Sequence, residues 1–215
     1  MNKVLKILLF AFFVKPLVFV VLGLNIRGRN NLPKKGPAII AANHNSHLDT
    51  FVLMSLYPLS QLHKIRPVAA ADYFMTNRIL AWLSLNCIGI IPLERNRRAK
   101  KAELFASCHQ ALDNDHILIL FPEGSRGLPE QMGSIKRGLF HIVNDRADTK
   151  IIPVILHGLG KSLPRGEALF VPFNCDVIIG ETLPKASTSG QFVEQISAVF
   201  ERLQQFCVTK YQPRL

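Results

Sequence analysis

The chain has 215 residues, long enough for one domain with a sizeable core, and no shift in composition argues for a second. Its 26 Lys and Arg against 15 Asp and Glu give a formal charge of +11, which draws it toward anionic surfaces, phosphorylated substrates or acidic carriers. Nucleic acid is set aside, because the sequence carries no helix-turn-helix signature, no zinc-finger spacing and no aromatics interleaved with basic residues.

The chain begins with an apolar stretch over residues 4–24. Lys6, Lys15 and Pro16 interrupt it, dividing it into 7–14 and 17–22, and neither half is long enough to cross a bilayer. The two lysines are expected to snorkel toward headgroups, and Pro16 to kink or break the helix so that the halves dip into one leaflet and return. Residues 1–27 therefore read as a membrane-associating helical segment lying in the interface. A single tilted span and a buried core helix are the competing readings. Asn25-Ile26-Arg27-Gly28-Arg29 follows with no small-x-small cleavage site, and its basic residues suit a cytoplasmic flank on anionic lipid.

Beyond the turn-rich residues 30–37, short apolar runs alternate with longer helical patterns, the order expected of an α/β sheet. Strands are predicted over 38–42, 67–71, 88–93, 116–121, 151–157 and 176–179. Helices are predicted over 50–57, 77–86, 98–114, 134–146 and from 191 to about 210. The fold class is thus α/β: a single domain with a mixed central sheet flanked by helices and an amino-terminal apolar helical membrane anchor. Cys87, Cys108, Cys175 and Cys207 lie far apart without metal-ligand spacing, so they read as reduced, structural residues of a cytosolic environment.

Asn43-His44-Asn45-Ser46-His47-Leu48-Asp49 sets an imidazole five residues before a carboxylate, directly after the first strand of this series. Such a pair makes a general base: the carboxylate on one ring nitrogen fixes the tautomer, and the other nitrogen takes a proton from a hydroxyl. On one continuous helix five residues turn by roughly 140°, so the side chains would diverge. The spacing suits a strand end running through a loop into a helix start. A second odd segment, Phe121-Pro122-Glu123-Gly124-Ser125-Arg126-Gly127, drops from a buried strand into a turn carrying a carboxylate, a hydroxyl and a guanidinium. Arg126 offers a fork for phosphate, and Glu123 can accept hydrogen bonds from donors or substrate hydroxyls. His44, Glu94, Arg95 and Glu123 all fall at predicted strand exits, the edge where open α/β sheets bind ligands.

Together these blocks resemble the glycerolipid acyltransferase family that includes the 1-acyl-sn-glycerol-3-phosphate acyltransferases. His44 through Asp49 matches its His-x4-Asp block, and Gly89-Ile90-Ile91-Pro92-Leu93-Glu94-Arg95 resembles the second block. Residues 121–126 match the third, and Ile152-Pro153-Val154 resembles the fourth. The resemblance implies an acyltransferase domain over 28–215 that moves a fatty acyl group from a thioester, on acyl carrier protein or coenzyme A, to a lysophospholipid hydroxyl. It implies His44 as general base oriented by Asp49, with Arg95, Glu123, Gly124, Ser125 and Arg126 binding the acceptor's polar head. No metal and no cofactor is implied beyond the acyl thioester co-substrate, and backbone N–H groups of residues 45–47 are the expected oxyanion donors.

In one place the chain departs from the family. Many members carry a lysine in a Lys-x-Glu-like segment where this chain reads Ala69-Ala70-Ala71-Asp72, so lysophosphatidate competes with other lysolipids as acceptor. Lys136 or Arg137 is a candidate substitute for that lysine. Readings from other classes are a metal-dependent hydrolase using His44, His47 and Asp49, and a non-catalytic lipid-binding protein. The expected location is the cytoplasmic face of the inner membrane, with the lipid surface, the lysophospholipid and the acyl carrier or coenzyme A thioester as partners.

Overall fold

A computed structural model describes residues 2–74, 77–94, 101–127, 130–144, 146–162 and 174–209. Among them, seven strands form one sheet: β1 (Gly23–Arg27), β2 (Ala38–Ala42), β3 (Ile65–Ala70), β4 (Ile91–Leu93), β5 (Ile117–Leu120), β6 (Lys150–His157) and β7 (Asn174–Ile179). They lie in the order β1-β7-β6-β2-β5-β3-β4. Every neighbouring pair is parallel except β6 with β7, which makes the sheet mixed as the sequence predicts.

The central strands are apolar along their whole length because both faces of the sheet are covered. In β2, Ala38, Ile40 and Ala42 face one layer, and Ile39 and Ala41 the other. The first layer holds the amino-terminal helix and the helix Asp49–Ser55; the second holds the helices Lys101–Asp113, Gly138–Val143 and Ser189–Gln204. The last of these shows why the sequence folds locally as it does. Thr188 accepts from the Gln191 N–H while Gln191 accepts from the Ser187 N–H, a reciprocal cap. Phe192, Ile196, Phe200 and Leu203 then fall on one buried stripe.

Several boundaries differ from the sequence reading, each for a local reason. Residues 23–27, read with the apolar amino-terminal segment, pair with β7 as an edge strand. The strand predicted from Ile88 starts at Ile91, because a π-type turn at Ser84–Ile88 ends on Gly89, whose φ of 78° lets it close the helix. The helix predicted from Ser134 starts at Gly138, because the preceding backbone serves the site described below.

The amino-terminal segment is one continuous helix over Lys3–Val21, not two halves separated at Pro16. Two π-type stretches, Phe10–Val14 and Leu17–Val21, flank Lys15-Pro16, and this wider winding absorbs the proline without a break. Its inner stripe repeats every fourth residue: Lys6, Phe10, Val14, Val18 and Leu22 are buried against the domain. Lys6 and Lys15 turn inward to the carbonyls of Ile65 (2.9 Å) and Tyr57 (2.8 Å), the opposite of the snorkelling expected from sequence. The outer face stays apolar and open, with Val4, Phe12, Phe13 and Val20 exposed by 66%, 70%, 71% and 82%. By length and composition this helix is able to cross a membrane.

Candidate active site

Strands β2, β5 and β6 run parallel, and their carboxyl ends share one edge of the sheet. His44 leaves β2 there, Phe121 to Glu123 leave β5, and Leu156 and His157 end β6. The chain after β2 turns through a short loop into the helix Asp49–Ser55, so His44 and Asp49 meet across that loop as the spacing predicts. Nδ1 of His44 lies 2.8 Å from Oδ2 of Asp49.

Asp49 is fully buried, and the same Oδ2 also accepts from the backbone N–H groups of Asn45 (2.7 Å) and Ser46 (2.8 Å). A carboxylate can only accept, so Nδ1 of His44 carries the proton and Nε2 is the basic nitrogen. The two N–H groups at 45 and 46, expected as oxyanion donors, are therefore committed to Asp49. The imidazole also stacks on Phe121, with ring centroids 4.0 Å apart and planes 15° apart, while its side chain remains 19% exposed. Acid partner and aromatic neighbour fix the ring in orientation, and solvent still reaches it.

Glu123, expected at the acceptor's polar head, turns its carboxylate to the backbone of the site. It is 3% exposed, and its two oxygens accept from the backbone N–H groups of His44 (2.8 Å) and Gly133 (2.6 Å). Burial pushes its carboxyl above the ordinary range, while the donated backbone hydrogens and the His44 ring pull the other way. Glu123 thus ties the turn after β5 to the backbone of His44. Gly133 permits this contact, since a Cβ there would stand 2.8 Å from Oε2 of Glu123. The turn continues through Gly124, which sits at φ 75° and needs glycine for that reason. It is locked by the Lys136 N–H on the Pro122 carbonyl (2.7 Å) and the Gly127 N–H on the His44 carbonyl (3.3 Å).

Ser125 is exposed, and Arg126 reaches the Nε2 atom of His47 through its guanidinium. Burial lowers the affinity of His47 for a proton, and the cationic neighbour Arg126 lowers it further. The structure therefore brings His44, Asp49, Glu123, Gly124, Ser125 and Arg126 to one edge; Arg95 lies outside the described residues. Among the described residues no three His, Cys, Asp or Glu side chains are placed to share a metal ion, and His47 turns to Arg126 instead of joining His44. Sequence reasoning missed Phe121 as the ring's stacking partner, and Gly133. The only sequence signal for Phe121 is its place at the head of the Pro122-Glu123-Gly124 turn.

Comparison with known proteins gives the same blocks a context. A 1-acyl-sn-glycerol-3-phosphate acyltransferase of Arabidopsis thaliana chloroplasts is 30% identical over 158 residues, covering 73% of this chain and 42% of that protein. The human 1-acyl-sn-glycerol-3-phosphate acyltransferase alpha is 24% identical over 190 residues, covering 87% of this chain and 63% of its own length. The chain thus spans less than half of the plant relative. In fold it is similar to the crystal structure of PlsC, the 1-acyl-sn-glycerophosphate acyltransferase of Thermotoga maritima. That likeness has a TM-score of 0.73 at 18% identity and covers 94% of this chain and 80% of that one. The family model described as Acyltransferase matches residues 23–157, from the first strand to the end of β6, and the chain belongs to that acyltransferase family.

Proposed function

We propose that the protein is an O-acyltransferase that moves a fatty acyl group from a thioester to the free hydroxyl of a lysophospholipid. The best-supported acceptor is 1-acyl-glycerol-3-phosphate, giving phosphatidate. The curated relatives described above carry that activity in their names. The observation that carries the mechanism is the 2.8 Å contact between Nδ1 of His44 and a buried carboxylate on a ring that solvent still reaches.

Nε2 of His44 takes the proton of the acceptor hydroxyl as its oxygen attacks the thioester carbonyl carbon. The tetrahedral intermediate collapses with cleavage of the C–S bond, and the leaving thiolate recovers the proton from the imidazolium. Asp49 stabilises that imidazolium while it exists. No acyl-enzyme is required, and the thioester, on acyl carrier protein or coenzyme A, is a co-substrate. Arg126, Ser125 and the glycine turn at 124 lie on the same edge, suited to the acceptor's phosphate. Ala69-Ala70-Ala71, without the lysine frequent in the family, makes another hydroxylated lysolipid the second reading.

The amino-terminal helix is assigned to the cytoplasmic membrane surface, lying in plane. Its stripe from Lys6 to Leu22 packs on the domain, which favours an in-plane position over a span, while the opposite face offers phenylalanines and valines to lipid. The net charge of +11 adds attraction to anionic headgroups.

The test is a transfer assay with the full chain, offering labelled acyl carrier protein and acyl coenzyme A thioesters against a panel of lysolipids. Wild type should label a phospholipid product, and His44→Ala should lose at least about a hundredfold in rate with an unchanged melting temperature. Turnover by that variant close to wild type would reject the mechanism.

A further inference from the structure

His44 sits between two asparagines, and both side chains reach the backbone of the same β6 residue, Leu156. The Asn43 amide donates to the Leu156 carbonyl at 2.8 Å, and its oxygen accepts from the Leu156 N–H at 2.7 Å. The Asn45 amide donates to that same carbonyl at 3.1 Å. Both asparagines are buried, at 2% and 8% exposure, so these bonds form where water does not compete. Side chains on either side of the histidine thus point to β6, while the histidine itself turns to Asp49 and Phe121.

Asn45 joins two parts of the site. Its side chain holds β6, and its backbone N–H donates to the Asp49 oxygen that orients the imidazole. Behind it stands Glu130, with Oε2 at 3.5 Å from both the Asn45 amide and Nε2 of His157, and Oε1 accepting from the Gly160 N–H at 3.1 Å. Glu130 adopts φ 60°, a conformation that costs a residue with a side chain about 1 kcal/mol or more and persists only where contacts impose it. Nδ1 of His157 in turn meets Thr209, whose hydroxyl and backbone N–H both donate to the fully buried Asp176 at 2.6 and 2.8 Å.

We propose that Asn43 and Asn45 are positioning residues for acyl transfer, gripping the backbone of one residue of the neighbouring strand, Leu156, from both flanks of His44, with Asn45 acting through Asp49. Glu130, His157, Thr209 and Asp176 form the rigid backing of this grip. The inference rests on the reading of His44 as the general base.

Asn45→Ala is the cleaner variant, because Asn43 still satisfies the Leu156 carbonyl. Asn45→Ser, which keeps a polar group, repeats the test if the alanine variant does not fold. Steady-state kinetics are measured for each in the wild-type background and in an Asp49→Asn background. The expected result is a kcat lower by roughly tenfold with both KM values within twofold. In the Asp49→Asn background the same substitution should cost less than twofold, because its route to the base has already been cut. An unchanged kcat, a loss carried by KM, or an undiminished loss in both backgrounds overturns the proposal. His44→Ala run alongside separates the two readings: if it keeps full turnover the general-base mechanism itself fails, and if it is inactive while Asn45→Ala is normal only the positioning role fails.

Discussion

Asp49 and Lys6 are both fully buried, one beneath the loop that carries His44 and the other beneath the amino-terminal helix. Around Asp49 the chain gathers three donors on a single oxygen, two from its own backbone and one from the imidazole. Lys6 donates to the Ile65 carbonyl, but loss of hydration, aided by the nearby Arg66 charge, pulls its pKa down to about 7. The first region aims prearranged donors at one carboxylate oxygen and so holds that carboxylate against the histidine. The second bears a desolvation cost in order to fix how the helix sits. Burial alone therefore says little about function; the arrangement of donors around the buried group separates a site from a scaffold.

The largest effect should come from breaking the first arrangement. Asp49→Ala leaves the imidazole without its acid partner and orphans the N–H groups of Asn45 and Ser46 in a closed interior. Unpaired buried donors cost on the order of 1–3 kcal/mol each, and loss of the orienting carboxylate adds a catalytic penalty. Transfer should fall by about a hundredfold or more, and the thermal midpoint should fall with it. A variant that keeps its melting temperature and a tenth of its rate would show that the Oδ2 cluster is not what organises the loop.

The outer face of the amino-terminal helix sharpens the comparison from the other side, since in the proposed docking it would hold the domain to lipid without touching the chemistry. Phe12→Ser with Phe13→Ser removes two rings exposed by 70% and 71%. Partition onto anionic vesicles should weaken by roughly tenfold or more, given the free energy of withdrawing aromatic surface from water. Turnover of a short-chain, freely dispersed acceptor should be unchanged. Binding to vesicles at wild-type strength would remove this face from the membrane interface.

How much of this was legible in sequence follows the same physical division. The strands β2, β5 and β6 were readable because sheet strands covered on both faces become short unbroken apolar runs. The strand β1 was not, because Gly23-Leu24-Asn25-Ile26-Arg27 continues an apolar stretch and pairs only with β7, far along the chain. The meeting of His44 and Asp49 was readable because it is local, five residues apart at a strand exit. The inward turn of Glu123, the stack on Phe121 and the grip on Leu156 depend on partners 77 to 113 residues away, which no spacing rule reveals. Pro16 misled for a different reason: the proline rule assumes α-helical winding, and the helix escapes it by widening into π-type turns on both sides.

The smallest effect is also the one that tests whether the lysine beneath the helix is a cost. With a folded pKa of about 7 against the ordinary lysine value of 10.5, the unfolded chain holds a proton between these pH values that the folded chain lacks. More protons bound in the unfolded state mean that stability rises with pH, so wild type should gain stability as pH climbs from about 7 to about 10.5. Lys6→Met keeps the volume and the contacts of the stem with the core but removes the titration. It should raise stability at pH 7 by about 1–3 kcal/mol, with the advantage shrinking as the pH approaches 10.5. Denaturant unfolding across this range measures the slope directly. A variant less stable than wild type at pH 7 would mean that the bond to the Ile65 carbonyl outweighs the desolvation of the ammonium. The amino-terminal helix would then resemble the loop at Asp49, where backbone donors meet one side of the buried charge.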